Sequence, residues 1–534
     1  MSRVIFDNTP QAPAFNPGRA DIACFVGLVR VLSGAVLPAR MVSWLASLGY
    51  PADQIASITN VPVLIESYAG FTAIFDDAQA GTGFGTDYLA AAVRSFFAQG
   101  GKRCYIVRVD DPVAPGDSPP AKAARLQMLL PGNTYAPDDA RSWTGVGNLG
   151  ALEDVSFLIT PDLPVLCASP PTGAVGQIPA VPTGPEEFVV CSQGDITPRQ
   201  FRVFPSPAPR LSLSDYTTWA GSVASIVNYL SSGPSTHQLH LHEVQFVAAF
   251  PIPADFDPAT DAENPSSVEI AQDIHEIMAA RMPEIPEADG QFSSLNISSS
   301  FLQLAYPWLK TTGSSILLES LEPPDGTLAG LLARNALVKG TFTSATKIVP
   351  AEIYDISPVL PAPEMKTPAT ALTWGPLVSS PLSKPLIERF SLFGFTPSGL
   401  RLLSDVTAYP GETVRPGPVN RLVSVIWRAA RRMGEIAVFE SNGPALWGRI
   451  QRSLQNLMTR LWTLNALDGA TARDAFTVRC DRTTMTQNDL DNGRLIAIVT
   501  FTPASTIETI RVKLAIETSG TSVQEVTANL AEVS

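Results

Sequence analysis

The sequence predicts a multi-domain α/β (α+β) protein, and three observations lead to that class. The chain has 534 residues, which is too many for one hydrophobic core, so about two to four domains are expected. Its composition is 45% hydrophobic and 16% charged, as in globular proteins that bury real cores. Strand-like and helix-like segments alternate near both ends of the chain, a pattern typical of α/β architecture.

The first alternation lies between residues 21 and 110. The apolar run DIACFVGLVRVL predicts a buried strand, and PVLIESYAGFTAIF predicts another. DYLAAAVRSFFAQGG then has apolar side chains at helical spacing followed by glycines, which predicts an amphipathic helix. KRCYIVRVD predicts the next strand. Strand, helix and strand in this order form a βα unit.

Segments rich in Pro, Gly and Ser at 111–145 and 168–210 indicate loops or the borders of an inserted domain. Regular patterning returns near Ser298. We therefore expect a core formed by N-terminal and C-terminal parts, with a β-rich middle domain inserted between them. The expected boundaries are an N-terminal arm 1–20, core 21–110, inserted outer domain 111–297, core 298–400, C-terminal domain 401–506, and a strand arm with a polar tail 507–534.

Charge and motifs exclude several classes of protein. The net charge of −13 argues against a nucleic-acid partner, which requires a concentrated basic surface. The N-terminus lacks the pattern of a secretory signal, and no apolar run approaches the ~20 residues that cross a bilayer. We therefore expect cytoplasmic synthesis and assembly, without direct membrane insertion. The five cysteines are scattered and never form a CxxC pair, so neither a disulfide framework nor a zinc site is indicated.

Three segments could carry chemistry, but each has a simpler interpretation. In HQLHLH, His240 and His242 would share a face of a strand as a conceivable metal-ligand pair. No confirming ligand follows beyond Glu243, so structural or surface histidines are favoured. GTGFGT at 81–86 lacks the lysine of a P-loop and is interpreted as a turn. DRTTMTQNDLDNG at 481–493 departs from the register of a calcium loop and is interpreted as a connector.

No esterase, metalloprotease or cysteine-protease motif is present either. We therefore expect no catalytic residue, no metal and no cofactor. A chain of this size without such a cluster is more often structural than enzymatic.

A long helix is predicted from Pro444. At about 100° per residue, its apolar side chains share a face that is expected to be core: Leu446, Trp447, Ile450, Leu454, Leu457, Met458, Leu461 and Leu464.

A second face of the same helix carries Arg449, Arg452 and Arg460. The interval 416–467 has seven arginines and no lysine against two glutamates, which inverts the charge of the whole chain. A solvated polar face and a docking surface for an acidic partner are both compatible with this pattern. The other four arginines belong to the preceding predicted helix: Arg421, Arg428, Arg431 and Arg432.

The last strand-like segment, TIRVKLAIET, alternates apolar and mostly polar residues. An isolated strand needs a sheet edge for its N–H and C=O groups. That edge belongs either to its own sheet or to a neighbouring molecule, and the pattern leaves both possibilities open. The apolar positions are Ile510, Val512, Leu514 and Ile516.

The C-terminal sequence resembles the tail sheath proteins of contractile phages and related injection systems. The resemblance is carried by VFESNGPALWGRIQRSL, by LWTLNALDGATARDAFTVRCDRTTMTQNDLDNGRLIAIVTFTP and by the terminal strand. YPWLK at 306–310 and EPPDGTLAGLLARNALVKGTF at 322–342 also match the family pattern. The chain departs from that pattern at Ser441, where the family usually has proline, and at Asn335, where it usually has aspartate. It also lacks the usual WGART-like motif near 402–420.

This resemblance implies a sheath subunit that polymerises as stacked hexameric rings around an inner tube and contracts to drive the tube into a target envelope. The implied partners are copies of the chain, an inner tube protein, and baseplate and terminal cap proteins, in a particle that is released or membrane-anchored. Arms that exchange strands between subunits would include Val4 and Phe6 at one end and the apolar positions of TIRVKLAIET at the other. We hypothesise that Arg449, Arg452 and Arg460 contact the tube.

Two other functions remain open at this stage. One is a nucleotide-binding α/β enzyme built on the first domain and GTGFGT. The other is a baseplate or adhesin component that does not contract.

Overall fold

The computed structural model describes most of the chain. Val4, Phe6 and all but the end of GTGFGT lie outside the described residues. The described residues are 19–77, 85–114, 117–132, 136, 139–169, 208–232, 239–253, 297, 299–360, 365–366, 385–409, 411–412, 414–437, 440–492, 494–504, 509–517 and 520–529.

The strands within these ranges are, in chain order, β1 Ala23–Leu28, β2 Pro62–Ile65, β3 Cys104–Asp110, β4 Phe157–Ile159, β5 Arg210–Leu211, β6 Gln245–Ala249, β7 Ile252–Pro253, β8 Leu302–Tyr306, β9 Trp308–Thr311, β10 Ile353–Ser357, β11 Ser391–Thr396, β12 Gly399–Leu402, β13 Phe476–Arg479, β14 Leu495–Phe501, β15 Thr509–Glu517 and β16 Gly520–Asn529.

The α-helices within the same ranges are α1 Ala39–Ser47, α2 Ala52–Ser57, α3 Tyr68–Thr72, α4 Tyr88–Ala98, α5 Pro119–Leu129, α6 Leu163–Cys167, α7 Leu213–Ser232, α8 Asp325–Val338, α9 Gly417–Ala437, α10 Pro444–Thr463, α11 Ala472–Ala475 and α12 Gln487–Asp491. Short 3-10 helices cover Ala140–Ser142, Gly145–Ala151, Leu239–Glu243, Ser314–Ile316, Leu318–Ser320, Ala345–Lys347 and Leu386–Glu388.

The main sheet has eight strands in the order β12-β11-β8-β6-β4-β1-β3-β2. Its inner strands pair in parallel, and the two outermost, β2 and β12, pair antiparallel to their neighbours. Every residue of β1 is buried, as expected for a parallel strand covered on both faces. Alternate side chains of β1 enter two different cores, with Phe25 on one face and Cys24 and Val26 on the other.

The βα unit predicted near the N-terminus is confirmed, because β1 and β3 are parallel and α4 lies between them in the chain. The strand predicted over PVLIESYAGFTAIF is shorter than expected. It ends at Ile65, and the hydroxyl of Ser67 then accepts a hydrogen bond from the Gly70 N–H as the N-cap of α3. This cap favours a helix over continuation of the strand.

The predicted insertion over 111–297 is wrong at two places. β4 and β6 come from this interval, yet they pair in parallel at the centre of the main sheet, between β1 and β8. Both strands are short and fully buried, so they lack the alternation that marks a half-exposed strand. The described part of the interval is also not β-rich, since α5, α6 and α7 belong to it.

Helices α4 and α8 pack closely on one face of the main sheet. A Cβ atom at Gly326 would lie 2.5 Å from the Ala92 carbonyl oxygen, and one at Gly330 would lie 2.7 Å from the Phe96 carbonyl oxygen. The two glycines therefore allow the helix backbones to approach one another, in agreement with the small residues of the TLAGLLA segment.

The C-terminal domain has its own hydrophobic core. Buried residues between Val419 and Phe501 form this core, mainly from α9, α10, β13 and β14. The last two strands belong to a sheet of order β13-β14-β15-β16. All three pairings of that sheet are antiparallel. Within the ranges described above, no helix is both long enough and apolar enough to cross a membrane.

Candidate assembly surfaces of the C-terminal domain

The apolar face of α10 packs into the core of the C-terminal domain. Trp447 and Leu457 are partly buried against this core. Leu464 differs from the prediction, because it is 52% exposed. The helix ends at Thr463, and Leu464 is the residue that follows its last turn. The fully buried positions confirm the rest of the predicted face: Leu446, Ile450, Leu454, Met458 and Leu461.

The opposite side of α10 presents Arg449, Arg452 and Arg460 to solvent. Arg449 forms an ion pair with Glu440, and both side chains are exposed. The Arg452 Nε–H donates to the Gly448 carbonyl oxygen at 2.9 Å, one turn earlier in the same helix. Neither contact removes these guanidinium groups from water, so this face is available to a partner.

The arginines of α9 lie in a different environment. Arg421, Arg428 and Arg431 are buried, so the single basic surface over 416–467 that the sequence indicated does not exist. Only Arg432 of this helix remains partly exposed, and it pairs with Glu153 at 2.6 Å. A buried guanidinium requires a paired carboxylate and further acceptors, and each of the three buried arginines of α9 has them.

Arg421 forms a bidentate ion pair with Asp405. Its Nη1 and Nη2 atoms lie 3.0 and 2.7 Å from the two carboxylate oxygens, and its Nε–H donates to the Thr341 carbonyl oxygen at 3.2 Å. Asp405 also accepts hydrogen bonds from the Gln303 amide at 3.1 Å and from the Ala345 N–H at 3.0 Å. This pair joins the start of α9 to the main sheet, because Gln303 belongs to β8.

Arg428 and Arg431 share one carboxylate, that of Glu243. Arg428 Nε lies 2.9 Å from Glu243 Oε2, and Arg431 Nε lies 2.7 Å from Glu243 Oε1. Both members of the Arg428 pair are 2% exposed. The Glu243 and Glu435 carboxylates raise the pKa of Arg431 despite its burial. This cluster is the second attachment of α9 to the body of the molecule, two helical turns beyond Arg421.

His240 and His242 of HQLHLH lie on a 3-10 helix, not on a strand, and His237 lies outside the described residues. The His240 Nε2 atom is 3.0 Å from the Leu149 carbonyl oxygen. The His242 ring packs edge-on against Phe301 and Trp427 at centroid distances of 5.8 and 6.0 Å. Burial lowers the pKa of both imidazoles, so they stay neutral at neutral pH. The favoured interpretation as structural histidines is confirmed for these two.

No group of three or more His, Cys, Asp or Glu side chains in the described part of the chain could hold a metal ion. The acidic segment 481–493, interpreted as a connector, contains α12. Thr486 and Asp489 form a capping box at the start of this helix, so the Asp489 carboxylate is engaged by the local backbone.

In the isolated chain, β15 pairs with β14 of its own sheet. Each apolar position of β15 has a Cα partner there: Ile510 opposite Phe501, Val512 opposite Val499, Leu514 opposite Ala497 and Ile516 opposite Leu495. β16 pairs with the other side of β15, so β16 and β13 are the outer strands of this sheet. Pairing with another subunit stays a prediction.

Buried carboxyl groups flank two helices of the main body: Glu322 precedes α8, Asp325 is its first residue, and Asp162 precedes α6. Glu322 accepts hydrogen bonds from the Ser95 hydroxyl at 2.5 Å and the Thr311 hydroxyl at 3.0 Å. Burial raises the pKa of Glu322 to about 8 and that of Asp325 to about 7. Burial also raises the pKa of Asp162 well above its usual range, although its Oδ2 accepts the Leu28 N–H at 2.7 Å.

Sequence reasoning missed Glu243 and Asp405 as the acidic partners of α9. One signal was present, because Arg421 and Arg428 are seven residues apart and therefore share a helix face. The sequence therefore shows that these two arginines lie on the same face of the helix. The identity of their partners could not be predicted, since Glu243 lies 185 residues before Arg428.

Three solved structures have a similar fold over nearly the whole chain. A chain of the anti-feeding prophage baseplate, 6-fold symmetrised, has a TM-score of 0.53 and 16% identity, with 95% of both chains covered. A chain of the same baseplate in the contracted state has a TM-score of 0.53 and 17% identity, with 94% of this chain and 96% of the other chain covered. A chain of the anti-feeding prophage helical sheath in the contracted state has a TM-score of 0.50 and 16% identity, with 94% of this chain and 98% of the other chain covered.

No protein-family model and no curated protein matches the sequence. The structural likenesses therefore establish the fold. The chain folds as a mixed α/β protein, and its fold is similar to that of these chains over 94–95% of its length.

Proposed function

We propose that this chain is a structural sheath subunit of a phage-tail-like contractile injection system. In this proposal it polymerises as stacked hexameric rings around an inner tube and contracts to drive the tube into a target envelope. The observation that carries the proposal is the likeness to a chain of a contracted helical sheath, which spans 94% of this chain and 98% of the other. The sheath-like motifs of the C-terminal sequence support it independently.

The subunits of such an array join through different patches on each side, so assembly continues instead of closing. Strand addition suits this purpose because main-chain hydrogen bonds keep two subunits connected while other contacts change. We place the arms at residues 1–20, with Val4 and Phe6, and at 507–534. The outer strand β13 of the C-terminal sheet lies outside both arms, and its edge is one that such an arm would use.

We further propose that Arg449, Arg452 and Arg460 contact the inner tube. Their exposure on one side of α10 supports this role, as does their positive charge on a chain with a net charge of −13. Exposed ion pairs are individually weak and are screened by salt. A contact of this kind can therefore hold the extended array and still be released on contraction.

The test of the proposal is negative-stain electron microscopy of the purified full chain. We expect hollow cylinders with six-fold end views, formed by the chain alone or in the presence of purified inner tube. A variant without residues 1–18 keeps every described element and should remain a soluble subunit without forming cylinders. A wild-type chain that stays monomeric under both conditions would contradict the proposal.

A second function is supported by the likeness to two baseplate structures of the same particle. In that case the chain is a baseplate component that does not itself form a long array. The same micrographs distinguish the two functions, since a baseplate component gives single rings or caps and a sheath subunit gives extended cylinders.

A further inference from the structure

Arg428 connects the C-terminal domain to the beginning of the described chain. Its Nη1 atom donates to the Arg19 carbonyl oxygen at 2.7 Å. Arg19 is the first described residue, and residues 19–22 are called the arm root because they adjoin and overlap the predicted N-terminal arm 1–20. A side chain of α9 therefore holds the root of the N-terminal arm.

The same guanidinium group binds two other segments. Nη1 also donates to the Ser156 hydroxyl at 3.0 Å, and Nη2 donates to the Val155 carbonyl oxygen at 2.8 Å. Nε donates to Glu243, the carboxylate that Arg431 shares. A guanidinium is planar and its donors have fixed directions. Arg428 therefore sets the relative positions of the arm root, the two residues before β4, and Glu243, which lies two residues before β6.

The arm root has a second attachment, at the same place on the main sheet. The Arg19 side chain pairs with the fully buried Asp21 through distances of 2.7 and 3.1 Å. The Ile22 carbonyl oxygen accepts the N–H groups of Ser156 and Phe157 at 2.8 and 3.2 Å. Residues 19–22 are thus bound to the start of β4 on one side and to α9 on the other.

We infer that Arg428 is a positioning residue for the N-terminal arm. It fixes the position of the arm root, residues 19–22, and it couples that position to the position of α9. Movement of α9 relative to the main sheet would then shift the arm root with it. The consequence for assembly rests on the proposed sheath function, in which the arm reaches a second copy of this chain.

Arg421 supplies a matched control on the same helix. It is buried to a similar degree, with 4% of its side chain exposed against 2% for Arg428, and it also pairs with a buried carboxylate. Its partners are Asp405 and the Thr341 carbonyl oxygen. The contacts of Arg421 thus anchor α9 without reaching the arm root.

The experiment compares Arg428→Met with Arg421→Met in the full chain, before assembly. Trypsin cleaves after arginine, and the Arg19 carbonyl that Arg428 binds belongs to such a peptide bond. Under native conditions we expect the fragment that begins at Ala20 to appear about tenfold faster in Arg428→Met than in wild type. Arg421→Met should release it at the wild-type rate. Mass spectrometry of the early digest measures both rates.

Equal acceleration in the two variants would overturn the inference, because it would show general loosening of α9. The wild-type rate in both would overturn it as well. If Arg428→Met does not fold, Arg428→Lys with Arg421→Lys as its control decides the same question, since each lysine keeps a cation beside the buried carboxylate but lacks the planar set of donors.

Assembly is measured separately, by counting cylinders in micrographs. We expect Arg428→Met to lose them and Arg421→Met to keep them. If wild type forms no cylinders while trypsin still distinguishes the two variants, the proposed sheath function fails and the positioning role of Arg428 stands. If wild type forms cylinders and trypsin does not distinguish the variants, the positioning role fails alone.

Discussion

Helices α9 and α10 are neighbours in the chain and both carry arginines, yet the arginines of the two helices differ in burial and in role. Three of the four arginines of α9, namely Arg421, Arg428 and Arg431, are buried and bind the carboxylates of Asp405 and Glu243. The arginines of α10 are exposed to solvent. One helix therefore uses guanidinium groups to attach the C-terminal domain to the body, and the other presents them as a surface.

The difference shows that a cluster of positive charge in a sequence does not by itself indicate a binding surface. What decides is whether other segments bring carboxylates to the same place. A buried charge without a partner costs several kcal/mol, on the order of the whole stability of a domain. An exposed charge costs almost nothing, so the α10 arginines are free to serve another purpose.

The largest effect is expected from Glu243→Ala, which leaves two buried guanidinium groups without their shared carboxylate. We expect a loss of about 3–5 kcal/mol in the free energy of unfolding, measured by urea denaturation. Glu440→Ala is the matched control, because it removes the carboxylate partner of the exposed Arg449 and should cost less than about 1 kcal/mol. Similar losses in the two variants would erase the distinction between the helices.

A second prediction concerns the pH dependence of stability that a buried carboxyl group of the main body produces. Burial raises the pKa of Glu322 from 4.5 to about 8, so the folded state binds this proton more tightly than the unfolded state does. The stabilising contribution is complete below pH 4.5 and is lost as the pH rises through about 8. We expect stability to fall by on the order of 3 kcal/mol between pH 5 and 8.

The variant Glu322→Gln tests the origin of that slope. An amide is uncharged at every pH and can still accept a hydrogen bond from the Ser95 or Thr311 hydroxyl. We therefore expect a flatter profile of unfolding free energy against pH in the variant, with part of the slope remaining from Asp325. Identical slopes in wild type and variant would exclude Glu322 as the titrating group.

The third prediction compares two leucines of the predicted apolar face, Leu454 within α10 and Leu464 just beyond its end. Leu454→Ala should destabilise the chain by roughly 2–3 kcal/mol, which is the lower part of the range for a buried leucine, because the partly buried Leu457 and Trp447 can move toward the space. Leu464→Ala should change stability by less than about 0.5 kcal/mol, since Leu464 is 52% exposed. Thermal unfolding of both variants provides the comparison, and a large loss at Leu464 would contradict the observed helix end.

Only a small effect on stability is expected at the exposed arginines of α10. Combined charge reversal of Arg449, Arg452 and Arg460 to glutamate should shift the unfolding free energy by no more than about 1 kcal/mol. Recruitment onto purified inner tube, measured by co-sedimentation at low salt, should nevertheless be lost. Unchanged recruitment would exclude these residues as the tube contact and leave them as a solvated face.

Much of the local structure could be predicted from the sequence. The strand at Ala23–Leu28, the helix at Tyr88–Ala98 and the apolar face of α10 follow from periodicity within one segment. The sequence assigns β4 and β6 to an inserted domain because segments rich in Pro, Gly and Ser at 111–145 and 168–210 interrupt this part of the chain. Their place in the main sheet depends on pairing with β1 and β8, which are far away in the chain.

In the candidate assembly surfaces, too, some features could be predicted from the sequence and others could not. The arginine face of α10 could be derived from helical spacing, because exposure of that face follows from burial of the opposite one. The burial of Arg428 could not, because it depends on Glu243 and on the Arg19 carbonyl oxygen, 185 and 409 residues earlier. Likewise, the spacing of His240 and His242 is compatible with a strand, and only the tertiary structure shows that both lie on a 3-10 helix against α9.

The sequence by itself determined the elements and the faces of this protein, because helix and strand periodicity act between residues a few positions apart. It also carried the sheath-like motifs of the C-terminal domain. Only the tertiary structure decided which arginines are surface and which are internal, and how the arm root meets α9. The physical reason is that a buried charge is stable only beside its counter-charge, and here the counter-charges come from distant parts of the chain.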